Sequence, residues 1–515
     1  MSEITRRDVI KGAAALGTAL IAHQVLGRSA SAQTTQKKEL VVAQGGDVST
    51  FDPHMSTSSN DIRVSFNIFD NLVSRRPDGK LAPGLATEWK LQGQTAWVFK
   101  VRSNVKYHNG DPFSSADAKW SLERTYDPAA KTRVNTVFST IDRIEAPDAA
   151  TLVIHTKKPD PLLPARLAFY GGQIVPKKYL EATGPQRFNE KPIGTGPVRF
   201  VSWTKDDRLV LDANADYWGG KPDFDRMIVR ALPEMAPRVA ALQKGEVDLI
   251  TQIPPDQGER LKGAANVQVM GALYGGLYVL AVNSKVPPLD NPLVKQALSF
   301  AIDRELIAKE LWRGRGIVPN GPVAKGDNHF DASVPPLAHD PKEARERLRK
   351  AGYKGEEIVI ETTAGYMAGD KPMAEAIQAM WKDAGVNAKV EVFEFTVRAQ
   401  KNRDKSFKGL WWSDPTSTLR DPDGMMWRLL GPGGPQDYWR NARWDELGAA
   451  ARFSVDEKFR GEAYREMNKI FLEHFPWIPV IQPYEDYGVQ KYVEWTPDPL
   501  QQLEIRRFNL KFRRA

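Results

Sequence analysis

No cysteine occurs in the 515 residues, so no disulfide can hold this chain together. A disulfide framework and a lipid anchor on an N-terminal cysteine are both excluded. The length exceeds what one hydrophobic core supports, so two or three domains are expected. Apolar and charged fractions of 41% and 26% are those of an ordinary globular protein. Disorder is therefore expected only around Thr34–Lys38.

Residues 1–32 read as an address. Thr5-Arg6-Arg7-Asp8-Val9-Ile10-Lys11 is a twin-arginine pattern, an apolar small-residue run follows from Gly12, and Ala30-Ser31-Ala32 fits the A-x-A cleavage rule. Cleavage before Gln33 would release a periplasmic chain exported by the twin-arginine route. No later segment offers the roughly 18 uninterrupted apolar residues of a membrane span, so the mature chain is expected to be soluble. Losing the leader removes four basic and two acidic residues, which takes the formal charge from +8 to +6. Apart from Arg506-Arg507 and Arg513-Arg514 the basic residues are interspersed with acids, and no stripe suited to nucleic acid is present.

The pattern along the chain is α/β with a β-rich interruption. Strands are predicted at 39–43, 97–102 and 151–155, with a helix around Ala118–Tyr126 entered through Ser114-Ser115-Ala116-Asp117. Val198–Trp203 and Arg208–Asp212 read as a hairpin. Strand 227–232, helix 236–244 and strand 247–250 follow. Asn291-Pro292 and Asp340-Pro341 each supply a capping side chain and a proline for the first turn of a helix. Ile358–Thr362, Pro372–Ala384 and Ala388–Phe393 form a β-α-β unit, and Glu457–Phe475 an amphipathic helix that Pro476 ends before a strand at 477–481.

The chemistry of an enzyme has no visible constellation. There is no G-x-S-x-G, H-E-x-x-H, G-x-x-x-x-G-K-[ST] or G-x-G-x-x-G. The six histidines beyond the leader are too scattered to pair on one helical turn, so neither a metal nor a cofactor is expected. Carboxylate pairs at Asp206-Asp207, Asp421 with Asp423, and Glu485-Asp486 read as solvated loops.

Several motifs recur in a fixed order. Leu81-Ala82-Pro83-Gly84-Leu85-Ala86-Thr87-Glu88-Trp89 leads to Trp97-Val98-Phe99-Lys100-Val101-Arg102 and on to His108-Asn109-Gly110. Pro192-Ile193-Gly194-Thr195-Gly196-Pro197, Asn214-Ala215-Asp216-Tyr217-Trp218, Ala241-Leu242-Gln243-Lys244-Gly245 and Ala297-Leu298-Ser299-Phe300-Ala301-Ile302-Asp303-Arg304 follow. In this order the series resembles the family-5 extracellular solute-binding proteins, the dipeptide, oligopeptide and nickel type that feed ATP-driven importers.

The resemblance implies a periplasmic-binding-protein-like α/β fold, with two α/β lobes, a ligand cleft between them and an inserted β-rich domain. Expected boundaries are 37–69, 190–277 and 483–515 for lobe I, 70–189 for the insertion and 278–482 for lobe III. It further implies a monomer that captures a peptide or similar amine-bearing solute and hands it to the membrane permease subunits of an ABC importer. An opine, an oligosaccharide or a metal chelate is the alternative within the fold; an exported hydrolase or a chaperone lies outside it.

In peptide-binding members the aspartate of W-x-x-D receives the ligand's ammonium group, which places Asp414 of Trp411-Trp412-Ser413-Asp414 in that role. The second acidic motif, Asp421-Pro422-Asp423, lies farther along than the family pattern, so Asp421 could serve instead, or Arg420 could bind an anionic group. Trp411 and Trp412 either stack on the ligand or fill the core. Tyr366, just beyond a predicted strand, and loop residues Ser56 and Thr57 complete the expected contacts.

Overall fold

The computed structural model describes residues 38–363 and 366–513. The twin-arginine leader, its cleavage site, most of the Thr34–Lys38 stretch and Arg514 lie outside the described residues.

One mixed sheet of twelve strands dominates. Its order is 388–392, 358–362, 410–413, 278–282, 477–490, 249–253, 39–44, 226–231, 208–213 and 198–204, with strands 267–273 and 316–317 also paired to 477–490. The central strand, Trp477–Gln490, belongs to both halves. Its first residues pair antiparallel with Tyr278–Val282, its last with Leu249–Ile253 and Val267–Leu273. The expected strand ended at Ile481. Instead, Pro479 and Pro483 sit within fourteen strand residues, and the register against Tyr278–Val282 shifts between Pro479 and Ile481.

Most local readings follow from capping and periodicity. The β-α-β unit is present as Ile358–Thr362, Asp370–Asp383 and Ala388–Val392, its strands parallel and in register from Ile358↔Ala388 to Thr362↔Val392. Asn291 and Asp340 cap their helices with side-chain oxygens that accept from Leu293 N–H and from Lys342 and Glu343 N–H. Ser114 and Asp117 form a reciprocal capping box on helix Ser115–Tyr126.

The β-rich part is a four-stranded antiparallel sheet ordered 86–92, 96–101, 151–156 and 141–148. Phe99, Leu152 and Ile154 from this sheet bury with Leu122 of the capped helix, in a core distinct from those of the large sheet. Gly194 and Gly196 lie against the backbone of residues 67–68, where a Cβ would approach the Ile68 and Asn67 carbonyl oxygens to 2.2 and 2.4 Å. The two glycines let that loop pack directly on helix Ser59–Ile68.

Candidate functional site

Strands 358–362 and 410–413 run parallel, so their C-terminal ends open on the same edge of the sheet. Ligands of α/β proteins are met at such ends. Asp414 follows one strand directly and Tyr366 follows the other after a short loop. Both line a cavity of about 610 Å³. Its other walls come from Thr57, Ser59 and Ile62 near the first helix, from Phe169 and Tyr170, from Gln252–Pro255, and from Tyr484, Glu485 and Asp486 of the central strand. Tyr274, Tyr278, Trp312, Thr416, Thr418 and Arg428 also line it.

Asp414 is held by a hydrogen bond from the Tyr366 hydroxyl to its Oδ1. The Tyr366 N–H in turn donates to Asp370 Oδ2 at 2.8 Å, and the Arg398 guanidinium lies 3.4 Å from the centroid of the Tyr366 ring. Arg398 also donates to the Trp412 carbonyl at 3.1 Å, which ties the tyrosine and the strand end into one unit. Burial raises the Asp414 pKa, against the Tyr366 hydrogen bond and the Arg398 charge. No ion-pair partner of Asp414 is found among the described residues. The carboxyl is thus positioned and desolvated without a counter-ion, a costly arrangement that a ligand cation would relieve.

Two further charges in the cavity share that condition. Arg428 stands in helix Met426–Leu430, whose other members are buried. Its Nε donates to the Gly424 carbonyl at 2.8 Å, and among the described residues nothing accepts from its terminal nitrogens. The side chain is exposed and lines the cavity; enough protein surrounds it for burial to lower its pKa. Glu485 accepts at Oε2 from Gln501 Nε2 at 3.3 Å, while its Oε1 has no partner. Burial lifts this carboxyl to about 7, against the charge of Arg63. Asp486 differs: Arg315 pairs with both its oxygens, through Nε at 3.0 Å and through Nη2.

Of the residues expected at the site, Asp414, Tyr366 and Thr57 line the cavity and five do not. Trp411 and Trp412 are 1% and 2% exposed and belong to the core. Strand 410–413 is covered on both faces, and the Trp411 ring stacks flat on Phe407, with centroids 4.3 Å apart. Arg420 turns away in a left-handed conformation, pairing with Asp327 at 3.1 Å and donating to the Gly326 carbonyl at 2.6 Å. Asp421 is 1% exposed and accepts from Arg460 at 2.6 Å. Ser56 is buried, its hydroxyl donating to Asp61 and its oxygen accepting from the Ser58 N–H. Two of the three carboxylate pairs read as solvated loops are also placed differently: Asp421 and Asp423 are buried, and Glu485-Asp486 stands in the central strand.

Sequence reasoning passed over Arg428, Glu485 and the aromatic wall of Tyr274, Tyr278 and Trp312. One signal was available for Arg428. In Met425-Met426-Trp427-Arg428-Leu429-Leu430 a single charge interrupts an otherwise apolar run.

The family model for bacterial extracellular solute-binding proteins, family 5 (middle region), matches residues 80–437. Di/tripeptide-binding protein 3 of Pseudomonas aeruginosa is 29% identical over 480 residues, covering 86% of this chain and 89% of that protein. The ABC transporter-associated periplasmic binding protein DppA of Helicobacter pylori, solved with the peptide STSA, superposes with a TM-score of 0.79 at 25% identity, covering 93% of this chain and 99% of that one. The binding protein AgaA of Agrobacterium tumefaciens, solved with agropinic acid, gives 0.77 at 26% identity, covering 93% and 99%. With the two lobes, the inserted β-rich domain and the enclosed cavity, these likenesses establish that the chain belongs to the family 5 bacterial extracellular solute-binding proteins.

Proposed function

We propose that this chain is the periplasmic substrate-binding component of an ABC importer and captures a peptide, or a similar small solute bearing both an ammonium and a carboxylate group. One observation carries the reading: Asp414 and Arg428, of opposite charge and each without an ion-pair partner among the described residues, line the same cavity. A zwitterion supplies both missing partners. Its ammonium group meets Asp414 and the Tyr366 hydroxyl, its carboxylate meets the terminal nitrogens of Arg428, and the hydroxyl of Thr57 approaches from the opposite lobe. The relatives named for di- and tripeptides support the same ligand class.

The mechanism is closure without chemistry. The solute first docks on one lobe; the lobes then rotate about the strands between them and water leaves the cleft. Contacts made by both lobes favour the closed form, and only that difference in affinity can drive closure. The closed face is then what the permease subunits recognise. In this reading the protein works as a non-enzymatic monomer, reaches the periplasm by the twin-arginine route, and has the lobe and insertion boundaries expected from its motifs.

The test is native mass spectrometry of the protein expressed with its leader, followed by denaturation and identification of the released molecules. Short peptides at one per protein are expected. A single non-peptide species would instead favour the second reading, an opine, for which the likeness to the agropinic-acid complex speaks. Release of no small molecule, with no thermal stabilisation by dipeptides, would remove the peptide assignment.

A further inference from the structure

The cavity holds three ionisable groups that lack an ion-pair partner among the described residues, and a simple zwitterion accounts for only two. The third is Glu485. It enters on the central strand, opposite Ala272 of the neighbouring strand, and lines the cavity together with Gln501 and Tyr484. Gln501 satisfies one oxygen; the other accepts from nothing. Arg63 is the nearest opposing charge to act on it, yet no nitrogen of Arg63 comes within the 4.0 Å of an ion pair. The Arg63 side chain is buried, bonded through Nη1 to Asn60 Oδ1 at 3.2 Å, with Nε and Nη2 making no hydrogen bond.

The wall beside Glu485 is aromatic. Tyr274 and Tyr278 pack edge to face at 6.2 Å, and Trp312 packs on Tyr278 at 5.5 Å. Both tyrosine hydroxyls feel the negative charges of Asp414 and Glu485 together, so this wall lies within reach of both carboxyls. An aliphatic stem can lie along such a surface and carry a cation at its end, as lysine and arginine side chains do.

We propose that Glu485 receives a second cationic group of the solute, so that the preferred ligand is a short zwitterion with a basic side chain. The inference rests on the zwitterion reading of Asp414 and Arg428 and deepens it. Glu485 acts as a specificity determinant: at rest it carries its charge poorly, and the stem's cation restores the charge and gives the carboxyl the opposite charge it lacks.

Calorimetry on the whole protein tests this with four probes: Ala-Ala, Ala-Lys, Ala-Lys acetylated on Nζ, and 1,5-diaminopentane. Wild type is expected to bind Ala-Lys at least tenfold more tightly than its acetylated form. Glu485→Gln should bring the two within about threefold of each other. Glu485→Ala repeats the measurement with the side chain shortened, should the amide find a partner of its own.

Equal binding of Ala-Lys and its acetylated form by wild type, or a preference that survives in both variants, overturns the inference and leaves the peptide reading standing. Conversely, no peptide bound but diaminopentane bound by wild type and not by Glu485→Gln would keep Glu485 as a cation receptor and remove the peptide reading. Failure of all four probes overturns both.

Discussion

Two regions of this molecule bury charge, and they do so in opposite ways. Along the seam where Arg166 meets residues 420–423 the charges are matched. Arg166 donates to Asp160 at 3.0 Å and to Asp423 at 2.9 Å, Arg460 holds Asp421 at 2.6 Å, and Arg420 meets Asp327 at 3.1 Å. Burial works against the charge of Arg166, yet its two aspartates raise its pKa above the usual arginine value. In the cavity a few residues away, Asp414, Arg428 and Glu485 line one space and none finds a counter-ion among the described residues. Matched charges fix how parts of the protein meet; unmatched ones describe, in negative, the solute that belongs there.

The contrast can be broken first at the seam. Replacing Arg166 by Ala strands Asp160 and leaves Asp423 with Arg452 at 3.5 Å, and the loss of a buried pair costs on the order of 3–5 kcal/mol. Thermal unfolding should show a larger drop than any substitution in the cavity produces; a melting temperature within a degree of wild type would mean that the seam does not hold the lobes. In the cavity the same kind of change should hardly affect folding and should act on binding. Asp414→Asn is expected to weaken an ammonium-bearing dipeptide tenfold or more in calorimetry, about 1.4 kcal/mol per tenfold, with melting preserved. Unchanged affinity would take Asp414 out of the site.

Arg428→Gln should cost about five- to tenfold in affinity for a dipeptide and little for the corresponding C-terminal amide. Its charge is more accessible than that of Asp414 and is screened accordingly. Equal losses for acid and amide would assign Arg428 to structure.

The smallest effect concerns stability against pH. The carboxyl of Glu485, raised from the ordinary 4.5 to about 7, favours the folded state while protonated. Its contribution is fully present below pH 4.5 and is lost as pH rises towards 7. Arg63 opposes the shift, and Asp486, Tyr274, Tyr278 and Tyr487 are the other titratable neighbours. Ligand-free Glu485→Gln should therefore gain in melting temperature relative to wild type between pH 5 and pH 8, by a few degrees. A constant difference across that range would show that Glu485 does not titrate there.

Much of the fold was legible because local chemistry and tertiary structure agree. Capping residues at Ser114, Asn291 and Asp340 mark helix starts that the structure keeps, and the β-α-β unit was bounded by glycine and periodicity. The central strand was half missed, because two prolines argue against a strand and only the surrounding pairings override them. At the site, Tyr366 could be placed because it follows a predictable strand end, and Asp414 because Trp411-Trp412-Ser413-Asp414 resembles the family's W-x-x-D motif. Trp411 and Trp412 could not be resolved, since all four residues of their strand are buried and alternation then carries no information about facing. Arg420 and Asp421 looked as available as Arg428 does. What separates them is the position of Asp327 and Arg460, far away in sequence.

The strand Trp477–Gln490 threads both halves of the large sheet and brings Tyr484, Glu485 and Asp486 to the cavity from its midpoint. In a hinged body the points nearest the axle travel least. During the proposed closure these three side chains would keep nearly the same station, while Thr57 and Asp414 sweep towards each other. The solute would then meet a stationary reader and two moving jaws. Discrimination among side chains could take place before the jaws shut, and the grip that commits the solute to transport would come afterwards.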